Sequence, residues 1–169
     1  IIPWAYPEPN DDIPENGIIA KTPSLTVMTI LLRPKSRGTL RLKSSNPEDH
    51  PAIDPGFLLE EDDMQILIKG VKLQREIAAT APLSGYMKHE AFPGPKIDDD
   101  DAIRAHIRFT SKTVYHPVGS CKMGVDELAV VDPTLKVRGL EGLRVADASI
   151  MPVIPGGNTN APSIMIGEK

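Results

Sequence analysis

The sequence predicts an α+β fold in which a small antiparallel sheet is joined to helices. Three observations carry this. Two β-type runs flank a Pro/Gly turn near the start, and two later segments repeat their apolar residues at helical spacing. The last third then changes character, with more Gly and Pro and only short apolar runs.

The elements follow in chain order. Residues 1 to 23 carry Pro3, Pro7, Pro9, Pro14 and Pro23 and read as irregular and extended. Leu25 to Leu32 is a β-type run, with Val27, Thr29 and Ile30 as β-formers. Arg33-Pro34-Lys35-Ser36-Arg37-Gly38 reads as a turn. Thr39 to Lys43 then alternates, with Leu40 and Leu42 on one face and Arg41 and Lys43 on the other, so the two runs are expected to pair. Residues 44 to 57 read as a polar, Pro-containing connection.

From Asp62 to Ala79 the pattern becomes helical. Met64, Leu67, Ile68 and Val71 share one face, and Leu73 and Ile77 are expected to widen it. Asp62 and Asp63 suit the positive end of the helix dipole, and Thr80-Ala81-Pro82 stops the helix. Residues 93 to 97 form a Pro/Gly loop. Asp98 to Phe109 reads as a second helix opened by an acidic run, with Ile103 and Ile107 one turn apart. Gly142 to Asp147 reads as a short buried strand and a turn, and Ala161 to Lys169 as the start of a helix.

Composition bounds the function. The chain has 169 residues, 40% hydrophobic and 25% charged, the balance of a protein with a core rather than a disordered one. A net charge of −4 argues against nucleic acid or an anionic membrane as partner. No stretch is long and apolar enough to predict a membrane span. The single cysteine, Cys121, allows no intrachain disulfide and fits a reducing, cytoplasmic setting. Ile1-Ile2-Pro3-Trp4 lacks the pattern of a secretory signal and has no initiator Met, so the chain is expected to start inside a longer polypeptide.

Three words carry chemistry. The first is Tyr115-His116-Pro117-Val118-Gly119-Ser120-Cys121-Lys122-Met123-Gly124. The second runs from Val131-Asp132-Pro133 to Asp147-Ala148-Ser149-Ile150-Met151-Pro152. The third is Gly156-Gly157-Asn158-Thr159-Asn160-Ala161-Pro162-Ser163-Ile164-Met165-Ile166-Gly167-Glu168. His116 sits in a loop, where side chains project into clefts, and imidazole exchanges protons near neutral pH. A loop histidine alone is more often a surface or hydrogen-bonded polar residue. Asn158 or Thr159 suits the cap of the following helix, with Pro162 in its first turn. The free N–H groups of such a helix start also suit an electron-rich partner. Asp147-Ala148-Ser149 reads equally as a structural turn or a ligand contact. Gly119-Ser120-Cys121 does not fit a hydrolase nucleophile elbow, and the four histidines are scattered without metal-ligand spacing.

Taken together and in this order, the three words closely resemble the C-terminal signature of the glucose-methanol-choline oxidoreductase family, in particular its choline dehydrogenase-like branch. The resemblance is strongest from Tyr115 to Glu168. It extends more loosely to Arg33-Pro34-Lys35-Ser36-Arg37-Gly38 and Pro51-Ala52-Ile53-Asp54-Pro55, which look like the strand–loop–strand words of the family's substrate domain.

The resemblance implies FAD as cofactor and a small-molecule alcohol as substrate. It implies that His116 takes the hydroxyl proton while hydride leaves for the flavin N5, with Asn158 beside it as the second active-site residue. Asp147 and Ala148 resemble residues that approach the ribityl and phosphate part of the cofactor, largely through backbone. Asn158, Thr159 and Asn160 resemble those passing the flavin ring, and Val118 is expected to line the substrate pocket. Cys121 reads as a small buried residue. His50, His89 and His106 lie outside these words and are expected at the surface.

The implied architecture is a substrate-binding portion over residues 1–112, then a C-terminal return segment of an FAD-binding α/β domain over 113–169. The family's Gly-x-Gly-x-x-Gly fingerprint does not occur here. Activity is therefore expected only with an N-terminal FAD-binding portion, of the same protein or a separate chain. Two alternatives stand beside alcohol oxidation. One is a non-oxidative flavin enzyme of this fold, such as a hydroxynitrile lyase; the other is an isolated piece without activity of its own.

Overall fold

The computed structural model describes residues 2–3, 25–90 and 92–169. Most of the irregular segment expected over residues 1 to 23 lies outside them. The fold is mixed, with three helices and short antiparallel strand pairs among the described residues. The chain divides into two units. One comprises Ile1–Leu31 and Leu58–Thr113, the other Leu32–Phe57 and Val114–Lys169. The cut at Thr113 falls beside the change in sequence character. Residues 32–57 join the second unit, which a division in chain order does not contain.

In the first unit, β1 (Ile2–Pro3) pairs antiparallel with β4 (Ser111–Lys112). Between them lie α1 (Glu61–Ala79) and α2 (Asp100–Thr110), which pack on each other. Glu61, Asp62 and Asp63 load the first turn of α1 with negative charge, favourable against the helix dipole. The helix ends at Thr80, whose N–H donates to Ile77 O and whose hydroxyl donates to Glu76 O. At α2, Asp99 is the N-cap, and its carboxylate accepts the Ala102 N–H at 2.8 Å. The acidic run is thus a helix start.

Met64, Leu67, Ile68 and Val71 of α1 meet Ile103 and Ile107 of α2, with Leu31 and Leu58, in one buried cluster. Each such side chain contributes about 1.5–3 kcal/mol by leaving water. Leu73 and Ile77, expected to widen the buried face, are instead about half exposed, at 54% and 48%. At 100° per residue Leu73 falls opposite Met64, and Ile77 well off the buried stripe. Gly70 lies inside α1 because a β-carbon there would stand 2.3 Å from Thr29 Cγ2. Glycine's cost of about 1 kcal/mol in a helix is accepted for that close approach.

The run from Leu25 to Leu32 is not a strand. It lies against α1, with Thr29 beside Gly70 and accepting a hydrogen bond from Gln74 Nε2 at 2.7 Å, and with Leu31 in the core. β-forming residues make a strand only when a neighbouring strand completes the ladder, and none does so among the described residues.

His106 of α2, expected at the surface, is half-buried. Its ring meets Phe92 edge-on at 4.9 Å. Burial pushes its pKa down, and the nearby Arg75 adds to this against the opposing pull of Glu90. His50 and His89 are exposed.

In the second unit, β2 (Thr39–Arg41) pairs antiparallel with β3 (Ala52–Asp54), in register Thr39↔Asp54, Leu40↔Ile53, Arg41↔Ala52. The partner of Thr39–Arg41 is therefore found in the segment read as a polar connection. Two close approaches seat this pair. A β-carbon on Gly38 would stand 2.1 Å from Asp54 O, and one on Gly56, at φ +60°, 2.3 Å from Arg37 O. Arg37 Nη1 binds its own loop through the carbonyls of Pro34, Lys35 and Ser36.

The rest of the unit is turns tied by single bridges, Met123↔Val131, Val131↔Val137 and Lys136↔Arg144. Gly142 to Asp147 accordingly forms no strand, and only Val145 in it is partly buried. Two separated contacts, Val137 N–H to Leu143 O and Val145 N–H to Leu135 O, hold it. Helix α3 (Asn160–Glu168) closes the chain, one residue earlier than expected.

Candidate active site

The second unit contains all of the expected site residues. Its scaffold is backbone pairing between the first and second words. Cys121 N–H donates to Ser149 O at 3.0 Å, and Met123 N–H to Ile150 O at 2.8 Å. Val131, Ile150 and Met151 are buried beneath these turns. Cys121 is partly buried among them.

His116 is held by its neighbours on both sides. Tyr115 stands at φ +63°, a left-handed conformation that is uncommon and costly for an aromatic residue. Pro117 restricts His116 itself to extended backbone. Gly119, at φ +87°, then turns the chain beneath Met151 O. Backbone strain one residue from a candidate catalytic side chain is where functional sites concentrate it.

The His116 ring meets the third word. Nδ1 lies 3.0 Å from Thr159 Oγ1 and 3.4 Å from the Thr159 backbone nitrogen. The hydrogen-bond partner of His116 is thus Thr159, the residue after Asn158, across 43 positions of sequence.

Thr159 is buried and occupies the N-cap position of α3, yet its side chain makes no capping bond. A cap would serve the N–H of the second or third helical residue. The third is Pro162, which has none, and the hydroxyl turns to His116 instead. The Thr159 carbonyl accepts from Ser163 N–H at 3.0 Å and from Ser163 Oγ at 2.7 Å, which anchors the residue from the helix side.

Asn158 and Asn160 are exposed. Gly157 has open space where a β-carbon would stand, and Gly156, at φ +87°, would bring one to 3.3 Å from Arg33 Nη2. The surface thus offers primary amides and the first N–H groups of α3 without a covering side chain at Gly157. That donor set fits the acceptor-rich edge of a heteroaromatic ring.

Asp147 is exposed, and its carboxylate is engaged in its own turn. It accepts from Ser149 N–H at 2.7 Å and from the Ser149 hydroxyl, which hold its pKa below the usual range. Ala148 opens a single 3-10 turn, Ala148–Ile150, and is half-buried, as is Val118. Among the described residues, no group of three or more His, Cys, Asp or Glu is arranged to hold a metal ion.

The pairing of His116 with Thr159 was absent from the sequence reading, which gave Thr159 to the cofactor or to the helix cap. Pro162 was the available signal, since it weakens the cap and leaves the hydroxyl in search of another partner.

The family model for GMC oxidoreductase matches residues 34–167, most of the chain, and covers the three words up to Gly167. The chain belongs to the GMC oxidoreductase family. It is 52% identical over 137 residues to an alcohol dehydrogenase [acceptor] of Pseudomonas putida, covering 81% of this chain and 25% of that protein. It is 47% identical over 138 residues to an oxygen-dependent choline dehydrogenase of Pseudomonas fluorescens (strain SBW25), covering 82% of this chain and 24% of the relative. Among solved structures, an FAD-dependent oxidoreductase from Chaetomium thermophilum superposes with a TM-score of 0.76 at 32% identity, over 81% of this chain and 24% of that one. The GMC chain described here thus spans about a quarter of the length of the curated relatives it matches. No helix among its described residues is long and apolar enough to cross a membrane.

Proposed function

We propose that this chain supplies the active-site face of an FAD-dependent oxidoreductase acting on a small-molecule alcohol, together with an FAD-binding portion of the GMC type. The observation that carries the reading is the meeting of the histidine word and the Gly-Gly-Asn-Thr-Asn word at His116 and Thr159, 3.0 Å apart. Relatives named as alcohol and choline dehydrogenases support the same reaction class.

His116 is the general base. It receives the hydroxyl proton of the alcohol on the ring nitrogen turned away from Thr159. Asn158, next in chain to the residue that holds the ring, donates its amide N–H to the oxygen as negative charge develops there. Bound FAD would supply the hydride acceptor needed for the alcohol to leave as a carbonyl compound. Asn158 and Asn160, on either side of the buried Thr159, are proposed to hold the flavin ring edge, and the Asp147–Ala148 segment its ribityl and phosphate part. Val118 lines the substrate pocket. In this reading 113–169 is the FAD-side return segment and the portion up to residue 112 the substrate side, with residues 32–57 packed on the former.

The test is His116→Ala in the holoenzyme, with flavin reduction by alcohol followed at the flavin absorption band. Turnover is expected to fall by about a hundredfold or more, the range for a general base, with flavin still bound. An unchanged rate would remove His116 from the proton-accepting role.

A further inference from the structure

The base role of His116 raises a question of tautomer. Neutral imidazole carries its proton on one nitrogen only. Nδ1 faces Thr159, so a base that works toward substrate must do so through Nε2, and Nε2 must be bare. The ring proton then sits on Nδ1 and needs an acceptor. Two groups of Thr159 reach Nδ1, the N–H at 3.4 Å and the hydroxyl at 3.0 Å. The N–H can only donate, which favours the opposite tautomer. The hydroxyl oxygen can accept.

We propose that Thr159 is a positioning residue for His116, its hydroxyl accepting the Nδ1 proton so that Nε2 meets the alcohol unprotonated. The inference rests on the base reading of His116. After proton transfer both ring nitrogens carry hydrogen, and the same hydroxyl oxygen continues to accept from Nδ1. The site is built for this. Thr159 is buried, its carbonyl is held by two bonds from Ser163, and its side chain makes no capping bond. The ring's own backbone is locked between Tyr115 at φ +63° and Pro117.

The consequence is asymmetric. Thr159→Val keeps the shape and the backbone N–H but removes the acceptor. The ring is then left facing only a donor, and its proton moves to Nε2, where the base must be bare. Thr159→Ser restores the acceptor.

The experiment compares wild type, Thr159→Val, Thr159→Ser and His116→Ala as holoenzymes, in two measurements. Ring 15N chemical shifts of histidine-labelled protein, assigned by the signal missing in His116→Ala and recorded where the ring is neutral, report the tautomer without reference to activity. The proton is expected on Nδ1 in wild type and the Ser variant, and on Nε2 in the Val variant. Kinetics are expected to show kcat down by about tenfold or more in Thr159→Val, within the span of general-base effects, with KM changed less than about twofold and Ser near wild type.

A wild-type ring protonated on Nε2 overturns the proposal, and this needs no variant to fold. So does a Val variant with unchanged kcat, or a Ser variant as slow as Val. If His116→Ala kept its full rate, the base reading would fall, while the 15N shifts would still judge the contact between Thr159 and the ring.

Discussion

The two units of this chain are held together in different ways. In the first, α1 and α2 close over an apolar cluster in which Leu67, Ile103 and Ile107 have no solvent exposure. In the second, the buried apolar residues are few (Ala129, Val131, Ile150 and Met151), and single bridges and turns carry the backbone. The candidate site lies in the second. A site needs side chains and backbone donors that converge from distant positions, and loops supply them where helices present one repeating face. The first unit shows what apolar burial does for stability, and the second what hydrogen bonds do for placement.

The contrast is broken most forcefully at Ile103. Ile103→Ala empties a fully buried position between α1 and α2, and is expected to destabilise the protein by about 2–5 kcal/mol. Chemical denaturation of the holoenzyme measures it. If stability follows the first unit and chemistry the second, the folded fraction keeps its kcat. A folded Ile103→Ala protein with kcat reduced tenfold would show that the division of labour is wrong.

The same contrast explains what was legible in the sequence. Met64, Leu67, Ile68 and Val71 at helical spacing announce α1 because one local period produces both the helix and its buried face. Asp99 announces α2 in the same way, by a bond to a residue three positions on. Strand β3 was hidden from periodicity, because three residues bounded by Pro51 and Pro55 carry too little alternation to read, and only the resemblance marked a strand–loop–strand word there. The run over Leu25–Leu32 misled because β propensity says nothing about whether a partner strand arrives. At the site, the resemblance pointed to His116 and Asn158 as words. Their joining through Thr159 spans 43 positions and rests on turns and single bridges, which leave no period in the sequence.

Asn158 sharpens the comparison from the other side. It is exposed, and Thr159 rather than Asn158 takes the N-cap position. Asn158→Ala is therefore expected to leave the denaturation midpoint nearly unmoved. It should lower the holoenzyme's rate by about tenfold or more, since a donor to developing oxyanion charge is removed. Asn158→His, which also offers a donor, is expected to retain most of the rate. Steady-state kinetics of the two variants check both. An unchanged rate in Asn158→Ala would take Asn158 out of the chemistry.

The smallest effect belongs to the surface of the first unit. Arg104 of α2 grips Glu61 of α1 through two hydrogen bonds, at 2.8 and 2.6 Å. These bonds, with a further one from Gln65, pull the Glu61 pKa from 4.5 down to about 2. The pair is exposed, so solvent screens it and its share of stability is small. Its sign is nonetheless definite. A carboxylate whose folded pKa lies below its unfolded value stabilises the protein fully above the unfolded value, and that contribution is lost as pH falls through the folded one. The window therefore runs from about pH 4.5 down to about pH 2. Glu61→Gln removes the titration and should flatten this part of the stability-versus-pH curve relative to wild type, and added salt should shrink the difference between the two proteins. Other carboxylates titrate in the same range, so the difference between wild type and variant, not the wild-type curve, carries the result. Parallel curves would mean that the Arg104–Glu61 pair adds nothing to the junction of α1 and α2 and merely sits over a contact already made.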